Sequence, residues 1–525
     1  MAKVTAPYFP IVYVRGYAMT QNEIVETTST PFMGFEAGST KMRQARDGSI
    51  RKFVFESPLV RLMKDYDYRD IYESGSERSD KLSPRCIVIH RYYDPADPSF
   101  GDGKVPSILD AAKLLAKRIG ELRDLICGLG TEAGLDAKAK KEIDVARKDF
   151  KVYLVAHSMG GLICRCLLQN PDAGSAEVKS MVDKVFTYAT PHNGIELGGI
   201  NVPGFLSMND MSNFNRSKMA EYLKTDKDKV NTLGDSRFPV ERFFCLVGTN
   251  SRDYAVAHGL SSFAVGSMSD GLVRIVNAYV PEAPRAFVNR CHSGFFGIVN
   301  SEEGYQNLVR FLFGNVRATG TLEINAIPFP PDIERARKAG KKIDSSYYIE
   351  TTVAPRGAYT YDLTCRTQDN ASAVRREYSE LFSGDGTRIA AARSPVLFSV
   401  FLDTRNILAG SEVAFSIDIA VTNAGYEVDD ALFFKSHIPG EYLFRDTLVL
   451  FAKTDDRGAW MLRYVWSDNH WASGPKAAAT KADTDTNLIA AEHPDADTFL
   501  VPLKSDKGFD ACLHIAVSSW NASPT

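Results

Sequence analysis

Hydrophobic and polar positions follow two different patterns along the chain, and the change falls near residue 318. Before that position, short apolar runs alternate with stretches in which apolar residues recur every three to four positions. The runs predict buried strands, and the stretches predict amphipathic helices. Strands that are apolar throughout and separated by helices are typical of a mostly parallel sheet covered on both faces. The pattern therefore predicts an α/β fold for residues 1–317.

Six apolar runs are the predicted strands of this sheet, at residues 11–16, 86–90, 151–157, 185–190, 243–248 and 285–290. Helical spacing is clearest at residues 108–126 and again after Met159. Two insertions, at about residues 21–84 and 195–240, interrupt the alternation. The first is too long for a plain loop, so we expect it to have local structure of its own.

From residue 318 to residue 525 the helical spacing fades. Strand-like runs follow one another, often with alternating apolar and polar residues, and clusters of Gly, Pro, Asn and Asp separate them. Short alternating strands with turn signals between them predict an antiparallel, sandwich-like β domain. This part holds all four tryptophans, Trp460, Trp466, Trp471 and Trp520. Either core packing or an exposed aromatic surface for lipid or sugar accounts for them.

Composition narrows the class of protein. A length of 525 residues with 44% hydrophobic residues fits two or three domains that each bury a core. The net charge of -3 excludes a chain built mainly to bind nucleic acid, and no run of about 18 apolar residues would span a membrane. The first residues lack the apolar segment of a secretory signal, so we expect a cytoplasmic protein, with export by a signal-less route left open. The eight cysteines form no C-x-x-C pair, so neither a disulfide framework nor a zinc site is predicted.

A catalytic serine is predicted at the turn after the third apolar run. The chain reads A-H-S-M-G-G from Ala156 to Gly161, between a strand and a helix, which is the context that a nucleophile elbow requires. Ala156 and Gly160, two positions on either side of Ser158, are small enough for the strand and the helix to approach each other. The turn presents the Ser158 hydroxyl at the carboxyl edge of the sheet. It also leaves the Met159 N–H at a helix N-terminus, where developing negative charge is stabilised.

These residues and a second motif resemble a known superfamily. A-H-S-M-G-G-L, followed by F-T-Y-A-T-P-H-N-G at residues 186–194, is similar to the bacterial lipase and esterase branch of the α/β-hydrolases. The GPI-inositol-deacylase-like serine esterases share parts of this pattern, although the family usually has Gly where this chain has Ala156. The resemblance extends from about residue 11 to residue 314, with gaps at the insertions. It implies a serine hydrolase domain followed by an accessory domain of unassigned role.

A serine hydroxyl needs a neighbouring base, usually an imidazole. In this superfamily the chain order is serine, acid, histidine, with the histidine in a loop after the last strand. His292 fits that position, and His258 is the alternative base. The resemblance assigns the acid to Asp270 in S-D-G-L-V, where a carboxylate would hold one imidazole tautomer. Asp253, which is closer to the end of the preceding strand, is the alternative acid.

The resemblance also implies an oxyanion hole. The family reads V-H-G-x after its first strand, and this chain reads V-R-G-Y at residues 14–17. Because the donors are backbone N–H groups, the oxyanion hole is assigned to Tyr17 and Met159. Gly16 permits close backbone approach. Arg15 departs from the family pattern, and it either contacts a carboxylate or phosphate of the substrate or forms a structural ion pair.

Further residues are expected around the site. His157, beside the nucleophile, packs or orients a neighbour, and His192 in the T-P-H-N-G turn belongs to the surrounding shell. The second insertion carries Phe205, Met208 and Met211, whose side chains re-pack around varied apolar ligands. In related enzymes this position holds a lid over the acyl site. Ordinary packing of a helix onto the sheet explains the same pattern, and both interpretations stay open.

The predicted function is a serine carboxylic-ester hydrolase, an esterase or lipase that acts on apolar acyl esters through an acyl-enzyme. A phospholipase, an exported lipolytic effector and an acyltransferase use the same triad and stay open. The alternative of another class is a binding protein with a hydrolase fold and an inactive site. The chemistry requires no cofactor and no metal. The expected partner is a small ester or lipid, with transient contact to a lipid interface and none to nucleic acid.

Overall fold

The chain divides into two compact units, Met1–Phe313 and Gly314–Thr525. The predicted change of sequence pattern at residue 318 lies inside a strand, Val316–Ala326. The alternation of buried and less buried side chains in this strand starts at Val316. The computed structural model describes residues 4–16, 38–44, 50–73, 76–77, 82–94, 104, 106–129, 134–197, 200–201, 211–234, 236, 238–252, 266, 268–294, 297–356, 361–390, 394–406, 412–428, 436–439, 441–466, 488–495 and 497–521.

The first unit alternates strands and helices. Its described strands are β1 (Ile11–Val14), β2 (Gly38–Gln44), β3 (Ile50–Glu56), β4 (Arg69–Asp70), β5 (Tyr72–Glu73), β6 (Ser76–Glu77), β7 (Cys86–Ile89), β8 (Val152–His157), β9 (Val182–Tyr188), β10 (Glu196–Leu197), β11 (Ile200–Asn201), β12 (Phe243–Gly248) and β13 (Arg285–Val288). Its described helices are α1 (Pro58–Tyr66), α2 (Ile108–Cys127), α3 (Ala137–Lys148), α4 (Met159–Gln169), α5 (Ala176–Met181), α6 (Arg216–Leu223) and α7 (Glu302–Phe313). None of the helices in the described part of the chain is long and apolar enough to cross a membrane.

Within the described residues of this unit, seven strands form one sheet in the order β13-β12-β9-β8-β1-β7-β4. Every pairing between neighbours in it is parallel. The side chains of β1, β7, β8 and β12 are all buried, as expected for strands covered on both faces. All six predicted strands lie in this sheet. The sheet and its helices confirm the α/β-hydrolase fold.

The two insertions contain regular structure. In the first, β2 and β3 form an antiparallel hairpin, α1 follows, and β4 extends the parallel sheet beyond β7. In the second, α6 buries Met219 and Leu223 in the main core, so its described part packs as an ordinary helix. Phe205 and Met208 lie outside the described residues, and so does the side chain of Met211, whose backbone forms one turn of 3-10 helix.

The second unit is built of antiparallel strands. They are β14 (Val316–Ala326), β15 (Ile343–Pro355), β16 (Thr364–Arg366), β17 (Val374–Glu377), β18 (Val396–Leu402), β19 (Val413–Val428), β20 (Ser436–Pro439), β21 (Tyr442–Thr454), β22 (Trp460–Trp466), β23 (Ile489–Ala490), β24 (Thr498–Lys504) and β25 (Asp510–Ser519), with helices α8 (Pro331–Lys338) and α9 (Tyr378–Leu381). One sheet has the order β18-β14-β25-β24. The other has the order β16-β15-β19-β21-β22-β23, with β17 beside β15 and β20 beside β19. These sheets confirm the predicted all-β domain.

Side chains from both of these sheets meet in one apolar core. The Trp466 ring lies 5.6 Å from the Phe444 ring, and the Trp520 ring lies 4.8 Å from the Phe401 ring. Trp460 packs against the same core, and Trp471 lies outside the described residues. The three described tryptophans therefore pack against other side chains of this unit, which is the first of the two interpretations of the sequence.

A buried lysine makes the stability of the first unit depend on pH. Lys184 on β9 is fully buried, and its Nζ donates to the Leu312 carbonyl oxygen at 2.9 Å. Burial lowers the pKa of Lys184 from 10.5 to about 7, although the adjacent Asp183 carboxylate raises it and Arg242 lowers it again. Between these two pKa values the unfolded chain binds more protons than the native state. The contribution of Lys184 to stability therefore rises with pH through this window.

We predict that the difference in melting temperature between Lys184→Met and the wild type falls as the pH rises from 7 to 10. Through that window the free energy of unfolding of the wild type rises by an amount on the order of a few kcal/mol. The variant lacks the lysine and does not show this rise. Thermal unfolding at pH 7, 8.5 and 10 measures this difference. Lys148→Met removes an exposed lysine and is the matched control. A difference for Lys184→Met that stays constant with pH would contradict the assignment.

Candidate active site

Ser158 lies at a strained turn between β8 and α4. The strand ends at His157 and the helix begins at Met159, so no loop intervenes. Ser158 has a φ of 52° and a ψ of -126°, which for a non-glycine residue costs of order 1–3 kcal/mol. Its N–H donates to the Tyr188 carbonyl oxygen at 2.9 Å, and the Thr190 hydroxyl donates to the Ser158 carbonyl oxygen at 2.9 Å. These bonds to the end of β9 offset the strain and fix the serine at the carboxyl edge of the sheet.

Glycines allow β1 and the start of α4 to meet at this turn. A Cβ added to Gly160 would lie 1.9 Å from the Val14 carbonyl oxygen, and a Cβ added to Gly16 would lie 2.6 Å from Ser158 Cβ. Real Cβ atoms essentially never come closer than 3.0 Å to another heavy atom. A side chain at either position would therefore displace the backbone around the nucleophile.

His292 and Asp270 continue a chain of hydrogen bonds that begins at Ser158. His292 Nε2 lies 3.0 Å from Ser158 Oγ, and His292 Nδ1 lies 2.8 Å from Asp270 Oδ2. All three residues are buried, with exposed fractions of 8% for Ser158, 3% for His292 and 1% for Asp270. Because a carboxylate only accepts hydrogen bonds, Nδ1 carries the proton of the neutral imidazole and Nε2 accepts from the serine hydroxyl. The structure thus brings together the serine, histidine and aspartate that the sequence singled out.

The loop around Asp270 holds its carboxylate in place. Oδ1 accepts hydrogen bonds from the N–H groups of Leu272 and Val273 at 3.0 and 2.7 Å, which leaves Oδ2 to His292. Gly271 has a φ of 100°, a conformation that favours glycine. The alternative acid Asp253 and the alternative base His258 lie outside the described residues.

His157 positions the backbone of His292. Its Nε2–H donates to the His292 carbonyl oxygen at 2.9 Å, and the two rings lie 5.0 Å apart. Burial, followed by the nearby His292, holds the pKa of His157 well below its usual value, so His157 is neutral near pH 7. Of the two roles the sequence allowed, packing or orienting, these contacts fit the orienting one.

His192 belongs to a buried polar cluster centred on Arg165. The Arg165 guanidinium donates to the carbonyl oxygens of His192, Val230 and Thr232 at 2.9, 2.5 and 2.5 Å. Burial lowers the pKa of Arg165 to about 10, and burial together with the Arg165 charge lowers the pKa of His192. The cluster ties α4 to the turn after β9 and to the second insertion. Arg165 was not among the residues predicted from the sequence, although a single charged residue within the apolar L-I-C-R-C-L-L segment was the available signal.

A half-buried carboxylate links α6 to the loop that carries Asp270. Glu196 accepts hydrogen bonds from Arg216, the first residue of α6, and from Arg274 at 2.6 Å. Burial raises the pKa of Glu196, but its bonds to Arg216 and Arg274 outweigh burial and lower the pKa overall. The sequence analysis missed this link as well, because its members are 20 and 78 positions apart.

The remaining predicted residues surround the nucleophile. Met159 is the first residue of α4, so its N–H is one of the helix donors without an intrahelical partner. Tyr17, the other predicted oxyanion donor, lies outside the described residues, whereas Arg15 and Gly16 are described. Among the residues that the structure describes, no group of His, Cys, Asp or Glu is arranged to hold a metal ion.

Residues 102–234 match the family described as PGAP1-like alpha/beta domain. This segment carries Ser158 but neither Asp270 nor His292. The crystal structure of a mature Bacillus licheniformis lipase is similar over 59% of this chain and 92% of that chain, with 15% sequence identity and a TM-score of 0.28. No curated protein sequence matches the chain. Over this segment the family match bears out the resemblance to the GPI-inositol-deacylase-like α/β-hydrolases.

We predict that Gly160→Ala disrupts the elbow, because its Cβ would lie 1.9 Å from a backbone oxygen of β1 that cannot rotate away. The expected result is a loss of several degrees in melting temperature together with a reduced yield of soluble protein. Gly120→Ala is the matched control, since no heavy atom lies within 4 Å of its added Cβ. That helical position gains up to about 1 kcal/mol of stability from alanine. Equal melting temperatures for the two variants would show that the close approach is not a constraint.

Proposed function

We propose that this protein is a serine carboxylic-ester hydrolase. Ser158 is the nucleophile, His292 is the general base and then the general acid, and Asp270 orients His292. The observation that carries the proposal is the buried chain of hydrogen bonds, 3.0 Å from serine to histidine and 2.8 Å from histidine to aspartate. The α/β-hydrolase fold and the family match across the Ser158 segment support it.

Acylation follows from this geometry. Ser158 Oγ attacks the ester carbonyl carbon while His292 Nε2 takes the hydroxyl proton, and Asp270 stabilises the imidazolium that results. The Met159 N–H at the start of α4 donates to the oxyanion, and the sequence assigns the second donor to Tyr17. When the tetrahedral intermediate collapses, the alcohol leaves with the proton from His292, and the acyl group stays on Ser158 as an ester.

Deacylation repeats these steps with water. His292 Nε2 removes a proton from the water as it attacks the acyl-enzyme, and it returns that proton to Ser158 Oγ when the carboxylic acid leaves. An alcohol in place of water would give a new ester by the same route. Product analysis separates the two outcomes, since hydrolysis releases a free acid and transfer does not. A panel of esters from acetyl to palmitoyl, with a phospholipid added, defines the acyl group and tests the lipase and phospholipase alternatives.

We predict that Ser158→Ala and His292→Ala each lower kcat on a short p-nitrophenyl ester by about 10⁴-fold or more, because the nucleophile or its base is lost. A fluorophosphonate probe should label the wild type and fail to label Ser158→Ala. The matched control is Ser180→Ala, which removes an exposed hydroxyl and should label like the wild type. Equal labelling of Ser158→Ala and the wild type would favour a binding protein or another nucleophile.

We predict that Asp270→Asn lowers kcat by a factor on the order of 10⁴, because the amide no longer selects the reactive tautomer of His292. The shape of the side chain is conserved, so the melting temperature reports separately on folding. Asp253→Asn is the comparison variant, and it should retain most of the activity. A severe loss in Asp253→Asn with a mild one in Asp270→Asn would move the acid to the alternative position.

A further inference from the structure

Arg15 lies beside the nucleophile turn. It directly follows β1, whose last residue Val14 pairs with Ala156 on the neighbouring β8. The next residue, Gly16, is close enough to Ser158 that an added Cβ would touch both Cβ and Oγ of the serine, at 2.6 and 3.3 Å. The Arg15 carbonyl oxygen is fixed in turn by the Tyr92 hydroxyl, which donates to it at 3.1 Å. The backbone of Arg15 is thus held at the carboxyl edge of the sheet, one residue from the contact with Ser158.

The guanidinium of Arg15 has no ion-pair partner among the described residues. Its Nη1 is buried and makes no hydrogen bond there. Asp94, the described acidic residue of the loop after β7, is bound by Arg91 at 2.8 and 3.1 Å. Arg15 as a whole is half-buried, but burying one guanidinium donor without a partner costs free energy, and proteins normally pair it. Of the two roles that the sequence left open for Arg15, the structural ion pair is therefore not found in the described part of the chain.

A second unpartnered polar group lies in the same region. Tyr93, in the loop after β7, is 1% exposed, and its hydroxyl has no hydrogen-bond partner among the described residues. Burial raises the pKa of Tyr93, with the positive charge of Arg15 acting in the opposite direction, so the phenol is a neutral donor near pH 7. Buried hydroxyls normally find a partner, because burying one without a hydrogen bond costs free energy.

The charge of Arg15 also reaches the other side of the site. It is among the causes that lower the pKa of His157, which precedes Ser158 and donates to the His292 carbonyl oxygen. One positive charge therefore acts on the loop after β7 and on the nucleophile turn. Since β1 lies between β7 and β8 in the sheet, the backbone of Arg15 follows the strand that separates the loop after β7 from the nucleophile turn.

We propose that Arg15, assisted by the Tyr93 hydroxyl, binds an anionic group of the ester substrate, a carboxylate or a phosphate, on the β7 side of Ser158. This inference rests on the proposed function, because it assigns a substrate class to the same site. The guanidinium offers several N–H donors in a planar fork that matches a carboxylate or phosphate. A neutral ester offers the Arg15 Nη1 and the Tyr93 hydroxyl a carbonyl oxygen but no charge to balance the guanidinium. Arg15 is thus a specificity-determining residue that discriminates anionic from neutral esters.

The test uses the 525-residue chain and compares neutral esters with esters that carry a carboxylate or a phosphate. One set is the butyrate esters of 1-propanol, 3-hydroxypropanoate and glycerol 3-phosphate, followed by butyrate release. A second set is p-nitrophenyl hydrogen glutarate and its methyl ester, which places the charge on the acyl side. We expect kcat/KM to favour an anionic ester over its neutral partner at least tenfold. The preferred anion distinguishes a carboxylate from a phosphate substrate.

Arg15→Gln should lower this anionic-to-neutral ratio about 10- to 100-fold, the range expected when a hydrogen bond to a charged group is lost. Arg15→Lys should restore part of the ratio, and Tyr93→Phe should lower it several-fold. Arg91→Gln removes the same charge from a guanidinium that is bound to Asp94, so its ratio should stay within about twofold of the wild type. Labelling of Ser158 by a fluorophosphonate shows that each variant keeps a folded site. If Arg15→Gln does not fold, Tyr93→Phe provides the test.

A wild type without preference for any anionic ester would overturn the proposal. An equal loss of kcat/KM on the anionic and the neutral ester in Arg15→Gln would also overturn it. That result would mean that the guanidinium contacts the oxyanion or has only a structural role. If the anionic-to-neutral ratio fell as much in Arg91→Gln as in Arg15→Gln, the preference would come from the overall positive charge near the site rather than from a contact with Arg15. These outcomes all retain Ser158-dependent hydrolysis of the neutral esters. Failure of the proposed function would abolish that dependence, so the two failures are distinguishable.

Discussion

The close approach of β1 to the start of α4 is the constraint on which the rest of this site depends. The Val14 carbonyl oxygen leaves no space for a Cβ at Gly160, and Ser158 turns between them with a φ of 52°. The strain of that conformation is offset by two hydrogen bonds, one from the Ser158 N–H to Tyr188 at the end of β9 and one from the Thr190 hydroxyl to the Ser158 carbonyl oxygen. The parallel register of β1, β8 and β9 therefore decides where the nucleophile is presented.

The partners of the nucleophile come from loops that are fixed by buried polar contacts. Two backbone N–H groups hold Asp270, and neutral His157 holds the backbone of His292. The Arg165 cluster and the Glu196 link connect these loops with α4 and α6. Such contacts pre-organise polar groups before a substrate arrives, which is the main way in which a folded site stabilises developing charge. The same fold leaves Nη1 of Arg15 without a hydrogen-bond partner among the described residues.

The predictable features of this protein were those with a local signal. The six strands were predicted because strands buried on both faces are apolar throughout, and Ser158 was singled out because its motif is contiguous. Arg165 and Glu196 could not be assigned a role, because their partners are brought together only by the tertiary fold. The two compact units divide between Phe313 and Gly314, whereas the change of pattern near residue 318 has no sharp start. The arrangement of Arg15 and Tyr93 likewise depends on which strands are neighbours.

The measurement that tests the central claim most directly is the isolation of the acyl-enzyme. The protein is mixed with a p-nitrophenyl ester, quenched in acid during turnover and digested, and the peptides are analysed by mass spectrometry. We expect one acyl group on the peptide that contains Ser158, and none in a control sample without the ester. Turnover without acylation of that peptide, or acylation of a different residue that matches the rate of product release, would contradict it.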